Sequence, residues 1–297
     1  MGGCARAIGF AATMAIPSAF GIASPIIGGW LIDVLGIKPA VKGLYLLGFF
    51  VAILVATLRL KFLKETNQSH GGAKITAGSV PGLIIRSYGD VLRIVREAPH
   101  RLIVFSLLIS GCTFIVSLVS PFWIIRVKET VGLSTADWGV VLLVNGAINV
   151  LLSLPAGGYV DRHSKRLVAG ISLIIGAIPV YLFLHASSFL QVLLLGALMT
   201  LPNTFLNPSF QSMFTDMVPR GKRGRMIAVF GGGGVWFMGS AWGTGVISIL
   251  SMTAGSLLSG YIYRLDSSLP WIILSISLVV IGFLFITQIK EPSWIED

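Results

Sequence analysis

The chain reads as an all-α integral membrane protein, a bundle of eight transmembrane helices, and three features of the sequence carry that expectation. Of its 297 residues 55% are hydrophobic and 11% charged, with a mean hydropathy of +0.87, a balance foreign to water-soluble domains. The apolar residues gather into eight segments, each able to supply the ~20 residues that cross a bilayer as a helix. Finally, 17 of the 22 Lys and Arg fall in alternate connections, leaving only Lys38, Lys42, Arg126, Lys128 and Arg264 on the other side. By the positive-inside rule both termini lie in the cytoplasm, with the plasma membrane the expected location. The formal charge of +10 is then a topology signal, and no nucleic acid partner is needed to explain it.

The first two spans are predicted at residues 7–32 and 43–60. A signal peptide competes for the first, but the stretch is too long and ends in Pro25-Ile26-Ile27-Gly28-Gly29 where a cleavage site would be needed. Residues 61–100 are the longest hydrophilic stretch. Their middle, 69–81, is a Gly- and Ser-rich linker, while Ile84, Ile85, Tyr88, Val91, Leu92 and Val95 recur at helical spacing with Arg86, Arg93 and Arg96 among them. That pattern fits a basic amphipathic helix on the membrane surface, or a charged tether with incidental helicity. Six further spans are expected at 102–125, 138–159, 167–185, 189–214, 226–263 and 269–289. The seventh is too long for one straight crossing. Its glycines, Gly231 to Gly234, Gly239, Gly243 and Gly245, predict a kink, a broken helix or a re-entrant piece. No P-loop Lys-Ser/Thr follows them, so helix packing explains them better than phosphate binding.

Few residues invite covalent or metal chemistry. Cys4 and Cys112 are far apart in sequence, and His70, His100, His163 and His185 never fall within one helical turn of each other. No metal site, no cofactor and no enzymatic activity is expected from that distribution.

Two stretches echo each other. Arg6-Ala7-Ile8 opens a span ending in Gly28-Gly29-Trp30-Leu31-Ile32-Asp33, followed by a second span and Lys64-Glu65; Arg225-Met226-Ile227 opens a span ending in Ser259-Gly260-Tyr261-Ile262-Tyr263, followed by a span and Lys290-Glu291. Between the copies lie the linker and four more spans, so the layout is two spans, a linker and six spans, as expected of a six-plus-six protein that lacks its first four helices. The connection between the fifth and fourth spans from the C-terminus carries Gly157-Gly158-Tyr159-Val160-Asp161-Arg162-His163-Ser164-Lys165-Arg166. Gly-x-x-x-Asp-Arg-x-x-Lys-Arg at this place resembles the signature loop of the major facilitator superfamily of twelve-helix secondary transporters, with Ser164 standing where the family has glycine. Pro219-Arg220-Gly221-Lys222-Arg223-Gly224-Arg225 is similar to that family's basic loop before helix eleven. Ser24-Pro25-Ile26-Ile27-Gly28-Gly29 resembles the Gly-Pro-x-x-Gly-Gly of helix five in its efflux branch, with Ser24 for the first glycine.

The resemblance implies a bundle corresponding to helices five to twelve, organised as residues 1–64 (the last two helices of the N-terminal half), 65–100 (a cytoplasmic linker) and 101–297 (the C-terminal half). It implies transport of a small organic solute through the lipid bilayer by alternating access. Helices one to four have no counterpart, so the expectation is an N-terminally truncated form working with a second chain that supplies them; a non-transporting fragment or membrane partner subunit is the other reading. The resemblance further implies a conformational latch made of Gly157, Asp161, Arg162, Lys165 and Arg166, gripping the start of the first span near residues 5–8, and an efflux-type helix element at Pro25, Gly28 and Gly29.

The polar residues within the spans are amides and hydroxyls. Asn145 and Asn149 share one helix face, and Asn203, Asn207 and Gln211 form a second stripe beside Pro202 and Pro208. Polar side chains at membrane depth face a cavity or another helix, so these five are candidates for the substrate path, with interhelical hydrogen bonding as the alternative. Trp236 and Trp242 could stack on a solute or pack toward lipid. Asp33, Asp137, Asp161 and Asp216 all sit at span ends. A proton-coupling group would then have to come from the missing helices or from His185, and the solute is expected to be neutral or amphipathic.

Overall fold

The computed structural model describes residues 24–62, 93–218, 223–231, 233–238, 241–243 and 245–289, together with Gly21, Gly89 and Val91. Within them the chain forms α1 (Ser24–Leu35), α2 (Ile37–Phe62), α3 (His100–Val119), α4 (Trp123–Val131), α5 (Thr135–Arg162), α6 (Lys165–Leu182), α7 (Phe189–Met217), α8 (Arg223–Phe230), a hairpin of β1 (Gly233–Val235) and β2 (Ala241–Gly243), α9 (Val246–Leu265) and α10 (Leu269–Gln288). Seven of the helical segments are long and apolar enough to cross a membrane, α3 and α4 counting as one broken crossing. The expected first span lies partly outside the described residues.

Gly36 alone joins α1 to α2, so the second helix starts six residues before the sequence pattern suggested. Gly36 holds φ at +83°, and its N–H donates to Ile32 O at 2.9 Å, a left-handed cap that a side chain would strain. Pro39 is tolerated because it falls in the first turn of α2, where its missing N–H breaks no helical bond. Around α2 the protein gives little cover, and among the described residues of that helix only Ala40 is buried. At the other end of the linker, residues 93–97 are helical. Val91, Ile94 and Val95 pack against the core while Arg93 and Arg96 stay exposed; residues 63–88, 90 and 92, which hold most of the expected amphipathic helix, lie outside the described residues.

The core runs between α3, α6, α7 and α10. Phe105 meets Phe210 edge to face at 6.3 Å and Phe285 at 5.9 Å, with Phe210 stacked on Phe285 at 5.1 Å. Toward the other end Trp123, Phe183 and Trp271 form a second aromatic group, 4.7 and 5.7 Å from Trp123 to its two neighbours. Glycines bring α6 and α10 into backbone contact. A Cβ placed at Gly170 would lie 2.7 Å from Gly282 O, and one at Gly282 would lie 2.7 Å from Gly170 O, so only hydrogen at both positions permits this crossing.

The seventh predicted span is broken, and the break is a β-hairpin. Gly231 leaves α8 with φ +57°, a left-handed turn that suits glycine. The strands pair antiparallel, Gly233 opposite Gly243 and Val235 opposite Ala241. Gly245 closes the neck, where a Cβ would lie 2.7 Å from Gly231 Cα. Gly233 and Gly234, expected to serve helix packing, are therefore used with Gly243 for strand pairing, and Gly231 and Gly245 for close backbone approach; Gly232 and Gly239 lie outside the described residues. Extended backbone at membrane depth needs a polar partner for each N–H and C=O, and α7 supplies it.

Candidate functional site

The five predicted amides converge on one seam between α5, α7 and the hairpin. On α7, Asn203, Asn207 and Gln211 sit at four-residue intervals beside Pro202 and Pro208, all buried. Asn203 donates from Nδ2 to Val235 O at 2.7 Å, and Asn207 donates to the same oxygen at 3.2 Å. Val235 N–H in turn donates to Asn207 Oδ1 at 3.2 Å, and Gln211 donates from Nε2 to Gly233 O at 3.0 Å. The stripe thus takes the place of a third strand along the free edge of β1.

Across the seam, α5 presents Asn145 and Asn149, both buried. Asn145 Nδ2 lies 3.3 Å from Met238 Sδ, and Asn149 Nδ2 donates to Thr204 Oγ1 at 3.2 Å. The carbonyl oxygens of both side chains, Asn145 Oδ1 and Asn149 Oδ1, are buried without a hydrogen-bond partner. An unmet acceptor in a low-dielectric seam costs about 1–3 kcal/mol.

Glycines seat the hairpin against its neighbours. A Cβ at Gly196 would lie 2.8 Å from Met238 Sδ, and one at Gly176 would meet the Phe237 ring, its Cζ at 2.9 Å. Phe237 is fully enclosed. Trp242 lies over Gly234, where a Cβ would come within 2.6 Å of its Nε1, and Trp236 is half-buried. His185 is exposed at the end of α6 beside Tyr181, away from the amide seam, so the structure gives no support to it as an internal proton carrier. Periodicity revealed the amide stripes, but nothing local in the sequence signalled that their partner is the chain's own backbone.

The charged connection between α5 and α6 is tied to two other helices. Lys165 Nζ pairs with Asp216 Oδ2 at 2.6 Å, both side chains about four-fifths buried, and Arg166 donates from Nη1 to Ile289 O at 3.1 Å. The second contact places a cation at the C-terminal end of α10, where the helix dipole favours it. Gly157 is buried in α5, Asp161 is half-buried in its last turn, and Arg162 is exposed. The residues expected to receive the latch, 5–8, lie outside the described residues. We expect Lys165→Ala to remove the ion pair with Asp216 and lower stability by about 1–3 kcal/mol. A thermal-unfolding double-mutant cycle with Asp216→Asn checks this; additive losses would show the pair to be uncoupled.

The predicted efflux-type element packs α1 on α5. A Cβ at Gly29 would lie 2.5 Å from Thr135 O, and one at Gly139 would lie 2.7 Å from Pro25 O; around Gly28 the space is open. Asp33 Oδ2 accepts from Ala136 N–H at 2.8 Å, adding an acceptor from another helix to the Ser134–Asp137 capping box that starts α5. Leucine at Gly139 is expected to push α1 off α5, costing about 1–3 kcal/mol as overpacking. Protease susceptibility of the α1–α5 contact reads this directly, and an unchanged cleavage rate would contradict it.

Fold and seam together describe a multi-pass helical membrane protein with a buried polar track. The Major Facilitator Superfamily profile matches residues 112–294, well over half of the chain, and the chain belongs to that family: it is a membrane transporter of the major facilitator type. A search of the curated proteins finds no significant match.

Proposed function

We propose that the chain moves a small organic solute across the membrane by alternating access, in the efflux manner, along the seam of Asn145, Asn149, Asn203, Asn207 and Gln211. The observation that carries this reading is the set of buried amides along the seam, among them the acceptors Asn145 Oδ1 and Asn149 Oδ1, which have no hydrogen-bond partner within the fold. Polar groups at membrane depth are costly unless they serve a partner or a passing solute. The stripe holds amides and hydroxyls and no charged side chain, which favours a neutral or amphipathic solute.

In this reading Gly157, Asp161, Arg162, Lys165 and Arg166 form the latch between access states, and Pro25, Gly28 and Gly29 give the efflux-type contact. Residues 1–64 belong to one half, 65–100 link the halves, and 101–297 form the other. A second chain contributing further helices would cover the bare apolar surface of α2. Cross-linking in the native membrane tests that partner: a product only at the monomer mass argues against it. In the same reading both termini lie in the cytoplasm, on the strength of the Lys and Arg asymmetry between the two sides.

The test of the transport reading needs no knowledge of the solute. Asn149→Cys in a background lacking Cys4 and Cys112 is labelled with a membrane-impermeant maleimide in right-side-out and inverted vesicles. Labelling from both faces supports alternating access, whereas labelling from one face alone overturns it. Asp161→Asn in that background is expected to shift the ratio of the two rates several-fold, and an unchanged ratio would remove Asp161 from the latch.

A further inference from the structure

The seam holds a peptide backbone already, and its spacing matches one. Side chains four residues apart on a helix repeat every ~6 Å, and backbone groups two residues apart on a strand repeat every ~6.6–6.8 Å. Asn207 and Gln211 are therefore spaced to meet the carbonyls of alternate residues of an extended chain, as they do at Val235 and Gly233. Asn207 also reads the intervening polarity, giving Nδ2 to the Val235 carbonyl and taking the Val235 N–H on Oδ1. Three donors and one acceptor in this order recognise an amide backbone and disregard its side chains.

The occupant is short and set on glycine. Gly233 and Gly234 offer no side chain to the seam. The hairpin neck, at Gly231 and Gly245, can change backbone dihedrals at low cost. Were β1 to withdraw, the amides of Asn203, Asn207 and Gln211 would be left buried without partners, a state that a solute with the same backbone would relieve.

Resting on the transport reading above, we propose that the seam is an extended-backbone binding site. Its solute is a short neutral peptide or peptide-like amide, which competes with residues 233–235 for the α7 stripe, so that the hairpin is a displaceable internal stand-in for substrate. Donors on Asn203, Asn207 and Gln211 would take solute carbonyls, Asn207 Oδ1 would take one solute N–H, and Asn145 Oδ1 and Asn149 Oδ1 would accept further N–H groups from the opposite wall. A capped peptide suits this site better than a zwitterion, since no charged side chain lines it.

A reversible lock tests this. A Cβ at Gly233 would lie 3.3 Å from Ile109 Cγ2, close to the reach of a disulfide between Ile109→Cys and Gly233→Cys. Both are introduced with Cys4→Ser and Cys112→Ala, because Cys112 lies one turn from position 109. The full chain in lipid nanodiscs is given tritiated N-acetyl-alanyl-alanine amide and, separately, its fully N-methylated analogue. The reduced protein is expected to bind the capped peptide. Oxidation should abolish binding, reduction should restore it, and the N-methylated analogue should bind at least about tenfold more weakly, the factor that loss of a single N–H contact of ~1.4 kcal/mol implies. Because one protein is compared before and after reduction, misfolding cannot imitate this result. Binding that survives oxidation, equal binding of the two probes, or no peptide binding by the reduced protein would each overturn the proposal. Labelling of Asn149→Cys from both faces alongside no peptide binding would discard the substrate class while leaving the transport reading intact.

Discussion

Leucine in place of Gly282 will drive α10 away from α6 and unfold the C-terminal bundle at a markedly lower temperature than the parent. The crossing is built on two glycines that face each other. Any Cβ at 282 falls 2.7 Å from Gly170 O and 2.8 Å from Ile174 Cγ1, and the first of these is backbone, which cannot swing aside. Overpacking costs about 1–3 kcal/mol where neighbours can adjust, and here the upper end or more is expected because a helix axis must move. Phe285, one turn further on, would be carried out of its stack with Phe210. Thermal unfolding in detergent, followed by circular dichroism, measures the change, with Gly282→Ala as an intermediate step. Equal midpoints for parent and leucine variant would mean the two helices do not cross in backbone contact.

The second large effect is expected at Asn207, the one side chain among the described residues that both gives to and takes from the hairpin backbone. Asn207→Leu is close in volume but leaves Val235 N–H without its acceptor and weakens the hold on Val235 O, where Asn203 alone remains. An orphaned backbone group in a dry interior costs about 1–3 kcal/mol, and the isobutyl group also meets Gly234, where space is so short that a Cβ would approach Asn207 Oδ1 to 2.5 Å. Hydrogen–deuterium exchange should show residues 233–235 losing protection by one to two orders of magnitude, while α3 and α10 keep theirs. If protection at 233–235 were unchanged, the amide stripe would not be what holds the hairpin in place.

These two sites differ in how much of them sequence reasoning could reach. The spans, their order and the polar stripes follow from periodicity, because a bilayer demands one apolar length and tolerates few polar residues within it. The glycine cluster near 231–245 announced a break in the helix. It did not announce a hairpin, since a strand of three residues has too short a pattern to read and its partner groups lie 22 to 32 residues away on α7. Gly170 and Gly282 were equally silent, being ordinary glycines in apolar helices until the fold sets them face to face. The short turn at Gly36 was missed for a local reason: Lys38 and Lys42 look like a polar loop but occupy the first turns of α2, where long side chains can reach toward water.

The attachments of Lys165 and Arg166 have a mechanical meaning. One fastens the start of α6 to the end of α7 and the other to the end of α10, so three helix ends are pinned at one corner. A pinned corner of this kind transmits force without absorbing it. Pulling on the α5–α6 connection would tilt α6, α7 and α10 as one lever, and any bending needed for transport would have to be found elsewhere along the chain, at joints made of glycine.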